Sequence, residues 1–253
     1  MISEFPLFLF STLTGIAAGA YAVGSVFCKN RQEASGWVFP LTVFLLAAFG
    51  GLASVMHLGR PDLGIYALTQ PHSAIAQEAY CIASLMTISL ADLLLLRLRG
   101  KSPRWLIVLG AIAGLALMVV TSRGYVISQA IEPWTGWGTW LLFIAGDLLM
   151  GAGLVALFES DVVGNKAFVA AYLVLAVLTL VGLVGAAMAF AGSTSGSLPF
   201  IAAAIIAPVA SAVVLVVGKS SKMTARGTAT WMFVLAVVGV AIARYFFYAV
   251  CAF

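Results

Sequence analysis

Residues 166–191 read KAFVAAYLVLAVLTLVGLVGAAMAFA. After Lys166 the run carries no charge, and its polar side chains are limited to Tyr172 and Thr179. A surface helix of a soluble domain keeps a polar stripe opposite its apolar one; a helix that is apolar all round is buried in a core or in lipid. About 20 such residues match the hydrocarbon thickness of a bilayer. The stretch reads as a transmembrane helix. Outward from it, seven further runs have the same character: 5–27, 37–56, 79–98, 105–125, 137–158, 199–218 and 228–252. They are long and continuous, without the alternation of membrane strands. The expected fold is all-α, an integral membrane bundle of eight helices, with 1–253 as a single transmembrane domain.

Composition agrees. The chain is 63% hydrophobic and 9% charged, where soluble domains carry about 25% charge. The start, Met1-Ile2-Ser3-Glu4, is acidic, whereas a secretory signal opens on basic residues; the first span is expected to be retained. The net charge of +4 sits in short clusters between spans and signals orientation, not nucleic-acid binding. Lys29, Arg31, Arg97, Arg99, Lys101, Arg104, Lys166, Lys219, Lys222 and Arg226 fall on one side, and Arg60 and Arg123 on the other. Positive loops stay inside, so both termini are expected on the outer side. Trp134, Trp137 and Trp140 then mark the outer interface, and Trp37, Trp105 and Trp231 the inner one. Gly15 with Gly19, and Gly110 with Gly114, have the small-xxx-small spacing of close helix crossings.

Ionisable groups inside a bilayer are costly and mark functional sites. His57 closes the second span, Glu78 opens the third from the same side, and Arg123 and Tyr125 close the fourth. Arg244 lies roughly 12 Å inside the eighth span at 1.5 Å per residue, with Tyr245 and Tyr248 above it. Such a set suits a quinone head group. A quinol's hydroxyls need hydrogen-bond partners and a proton acceptor near neutrality, where histidine titrates. Glu78 can take the proton next, and an arginine can hold a carbonyl or tune the carboxylate. Plainer readings stand beside these: His57 as an interfacial residue, Glu78 as a helix N-terminal charge, and Arg123 snorkelling to head groups. Asp147 admits three: a protonated acid bonded to another helix, a salt bridge with Arg244, or a proton path. Asp92 reads as interfacial near the inner end of its span, and His72, between Pro71 and Ser73, as an exposed loop residue.

Cys28, Cys81 and Cys251 form no CxxC pair, so no metal site or iron–sulfur cluster is expected in this chain. Its two histidines lie around one loop, which does not suit bis-histidine haem, and no haem is expected.

The segment Ser54–Glu78, with HLGRP at its head and QE at its tail, resembles the membrane anchor subunit of dimethyl sulfoxide reductase, the DmsC family. SRGY at Ser122–Tyr125, PW at Pro133–Trp134 and ARYFFY at Ala243–Tyr248 extend the resemblance. What it implies is a multi-pass subunit of the bacterial inner (cytoplasmic) membrane, serving anaerobic respiration as part of a complex. It would bind and oxidise menaquinol and pass electrons to an iron–sulfur subunit, which feeds a molybdopterin catalytic subunit. The family's menaquinol roles map onto His57 and Glu78; beside them, the reading of the residues themselves puts Arg60, Arg123, Tyr125, Arg244 and Tyr248 in the expected binding set. Arg60 stands at the variable position of the HLGxP motif, and Asp147 carries no family role. The competing readings are an anchor for another molybdenum or polysulfide-type oxidoreductase, a secondary transporter, and a purely structural anchor.

Overall fold

The structure, a computed structural model, describes residues 4–28, 36–58, 64–220 and 223–250. Those residues form helices and connections, with no strand among them. The helices are α1 (Phe5–Phe27), α2 (Val38–His57), α3 (Gly64–Leu68), α4 (Ala74–Arg99), α5 (Arg104–Val126), α6 (Trp137–Phe158), α7 (Lys166–Ala189), α8 (Leu198–Ala204), α9 (Ser211–Ser220) and α10 (Ala225–Ala249). A π turn at Ile205–Ala210 joins α8 to α9 as one span, so eight helical segments are long and apolar enough to cross a membrane. This is a multi-pass membrane protein.

Caps, not hydropathy, fix the helix ends. α4 starts at Ala74, well before the expected 79, because the Ser73 hydroxyl accepts the Ala76 N–H at 3.1 Å. Gly100, at φ 67°, ends it in the left-handed conformation that glycine adopts freely. Asn165 and Thr224 cap α7 and α10 in the same manner as Ser73. Pro208 has no N–H to give its helix, and the chain widens there into the π turn.

α1 and α6 are the core of the bundle. Over their most apolar windows 78% and 72% of residues are buried, against 33% for α2 and 28% for α4. α1 packs on α2, α5, α6 and α10. It can do so because its inner faces are nearly bare backbone. A Cβ on Gly19 would lie 2.0 Å from the carbonyl oxygen of Asp147, and one on Gly151 would lie 2.0 Å from the Gly19 carbonyl carbon. A Cβ on Gly114 would fall 2.7 Å from the Ala18 carbonyl oxygen, and one on Gly110 would run into the Tyr21 ring. Both glycine pairs singled out by spacing thus sit at close crossings.

Polar residues depart from the sequence reading in two places. Asp92 is not interfacial: it is fully buried, and the Tyr21 hydroxyl donates to its Oδ2 at 2.8 Å. Trp134 is not in a belt: it is buried, stacks on Phe247 with centroids 5.1 Å apart, and donates Nε1–H to the Phe247 carbonyl. Trp137, Trp105 and Trp231 are exposed. His72 is exposed in its turn, in keeping with the sequence reading.

Candidate functional site

The start of α1 and the end of α10 share one end of the bundle. Phe8 meets the edge of Tyr245, Ser195 donates to the Phe246 carbonyl, and Trp134 reaches Phe247. His57 and Glu78 lie at this same end, on the last turn of α2 and near the start of α4.

His57 is the final residue of α2, and its ring turns toward the start of α1. Nδ1 lies 2.8 Å from Oε2 of Glu4; the imidazole is 38% exposed and the Glu4 side chain 21%. Glu4 precedes α1 and is anchored there, its carbonyl accepting the Phe8 N–H at 3.1 Å.

Next to this pair lies a cleft of about 370 Å³ between α2, α3 and α4. α2 supplies Gly51, Ser54 and Val55, followed by its cap residue Leu58; α3 supplies Gly64 and Leu68; α4 supplies Ile75, Ala79, Ile82, Ala83 and Met86. The α4 residues recur at intervals of three and four, which makes them one stripe. Ser54 offers a side-chain hydroxyl in an otherwise apolar lining. α3 is tied over the cleft by the Tyr80 hydroxyl, which donates to the Leu68 carbonyl. The flanks face outward: Phe49, Leu52 and Met56 of α2 and Leu90 and Leu94 of α4 are exposed. Small-ligand sites have this size and this apolar character, with few polar groups.

Glu78 sits one residue from the cleft-lining Ala79 but turns toward α5. The Thr121 side chain lies close enough to act on it, and a Cβ on Gly124 would come within 3.9 Å of its Oε1. It is the fifth residue of α4, past the first turn, which carries no acid. The helix dipole is therefore not what holds it there. Arg123 is exposed and donates to Oε1 of Gln77 at 3.5 Å.

Deeper in, the Tyr248 hydroxyl donates to that of Tyr125 at 2.7 Å, within a cluster of Trp134, Phe143 and Phe247. Arg244 is fully buried. Its guanidinium donates to the Asp147 carboxylate and to the Ser11 carbonyl, and lies over the Phe143 ring at 4.7 Å. Of the three readings of Asp147, the structure takes the ion pair. Arg244 is about 7.5 Å from the end of α10 at 1.5 Å per residue, shallower than expected because α10 ends at Ala249. Glu78 and Arg244 are both close enough to act electrostatically on Tyr125 and Tyr248.

The sequence-selected residues thus fall into three groups at one end of the bundle. His57 is at the rim with Glu4, Glu78 and Arg123 are on the α4–α5 seam, and Tyr125, Tyr248 and Arg244 are in the core. His57 directly precedes the cleft-lining Leu58, and Glu78 the cleft-lining Ala79, while their side chains turn toward α1 and α5. Arg60 lies outside the described residues. The sequence reading missed Glu4, Ser11, Thr121 and Ser54 as polar partners. Short hydroxyl residues in an apolar run carry no signal of their own, whereas a carboxylate at the mouth of the first span is a visible one. No protein-family model matches the chain, and no curated protein matches it.

Proposed function

We propose that this chain is the quinol-oxidising membrane subunit of a larger oxidoreductase complex, of the kind found in the DmsC family. The observation that carries the reading is the apolar cleft between α2, α3 and α4, with His57 and Glu78 each next in sequence to one of its lining residues, Leu58 and Ala79. A quinol gives up two electrons and two protons as it becomes a quinone. Its isoprenoid tail needs an apolar channel reachable from lipid, and the outward-facing α2 and α4 flank such a cleft. Its head group needs a base, and His57, which precedes the cleft-lining Leu58, is a partly exposed imidazole at this end of the bundle. Glu78, beside Thr121, is the second acceptor. Arg123, at the same end of the bundle, supplies positive charge for the quinone oxygens, and the sequence reading adds Arg60 to the set.

Electrons leave to an iron–sulfur subunit docked on this end, and from it to a molybdopterin catalytic subunit. Menaquinol is the substrate that the resemblance favours. The sidedness of the basic loops supports an outer-face position for this end in a bacterial cytoplasmic membrane, with protons then released outside. A transporter reading is weaker, because Asp147, the midspan acid that favoured it, is already paired with Arg244.

The test is quinol oxidation and quinol-analogue binding by the assembled complex, wild type against His57→Ala. Loss of a general base typically costs 10²–10⁴ in rate. A drop of at least about a hundredfold, with assembly intact, supports the reading. Unchanged turnover and binding in a well-assembled variant overturn it.

A further inference from the structure

We infer that Glu4 is the positioning residue for His57, fixing which imidazole nitrogen receives the quinol's proton. The inference rests on the quinol reading and adds to it a residue that the sequence did not select. A neutral imidazole carries one N–H and one lone pair, and the hydrogen bond made at one nitrogen decides the role of the other. An ionised carboxylate only accepts. With Oε2 of Glu4 at 2.8 Å from Nδ1, the proton belongs on Nδ1, and Nε2 is left with the lone pair. Nε2 is then the base. When it takes the proton the ring becomes an imidazolium, and the carboxylate at Nδ1 balances that charge.

Two further observations bear on Glu4. Its Oε2 is buried with no aligned hydrogen-bond donor, so the imidazole Nδ1 at 2.8 Å is the group left to meet it, by a small turn of the ring. Its backbone is held by the first turn of α1, the most buried span in the bundle, so the carboxylate is presented from a rigid element. The ring itself hangs from the last turn of a peripheral helix.

The chain has two histidines, so His72→Gln leaves His57 as a single reporter. Nitrogen-15 histidine spectra of that full-length chain in lipid nanodiscs, with the imidazole deprotonated, read the tautomer directly. The Nδ1–H form is expected, with Glu4→Gln retaining it and Glu4→Ala shifting the ring toward the Nε2–H form. In the assembled complex, Glu4→Ala is expected to lower kcat about tenfold or more while KM holds, and Glu4→Gln to fall between it and wild type. If the tautomer does not change in Glu4→Ala while His57→Ala still abolishes turnover, Glu4 has no positioning role and the quinol site stands. If His57→Ala keeps full turnover, the quinol reading falls and Glu4's role falls with it, whatever the tautomer.

Discussion

Buried charge decides which single substitutions this protein tolerates. Arg244 and Asp147 are both out of contact with solvent, and each is the other's ion-pair partner. Removing one partner of such a pair leaves an uncompensated charge and costs about 3–5 kcal/mol, whereas replacing both with apolar residues is often neutral. Arg244→Ala or Asp147→Ala should therefore lower the thermal unfolding midpoint in detergent sharply, and Asp147→Leu with Arg244→Met should recover most of it. Equal loss in the double variant would show that the pair is not the source. Glu78→Gln belongs to a different class: the amide can keep the Thr121 contact, so folding should hold while quinol oxidation falls. Normal turnover in Glu78→Gln would remove Glu78 from the proton path. At this scale the sequence was informative about which residues are chemically costly, and poor about their partners. Arg244 was marked by its depth alone, but the pairing of His57 with Glu4 joins residues on two different spans, and no local pattern encodes it.

Helices follow the same division. All eight spans could be read from hydropathy, because a bilayer imposes a length and a polarity that no tertiary contact can override. Their ends could not, since Ser73, Asn165 and Thr224 set them through single side-chain caps. The glycines of α1 were legible as a spacing, and their partners were not. Gly19 faces the backbone of α6 and not a movable side chain. Gly19→Leu should therefore separate α1 from α6 and cost at least the 1–3 kcal/mol typical of overpacking. Gly15→Ala meets the tip of the Asp147 side chain, which can shift, and should cost less. Comparing the two unfolding midpoints in detergent checks the order; a reversed order would mean the ion pair is stiffer than the α1–α6 crossing.

As a whole molecule the chain presents its polar chemistry at the end where α1 starts and α10 finishes, and its basic loops at the other. If orientation follows those loops, a periplasm-active reporter fused after Phe253 should be active, and the same reporter fused after Lys101 should be silent. The reverse pattern would turn the quinol site toward the cytoplasm and reverse the side on which protons are released. One contact also constrains the order of biogenesis. Asp147 enters the membrane with α6, and Arg244 follows only with α10, after α7, α8 and α9 have been made. Through that interval the nascent chain holds an acid at mid-depth without its counter-ion. A ribosome-stalled or truncated product lacking α10 would be left in that state, which gives membrane quality control a chemical mark by which to tell an unfinished chain from a finished one.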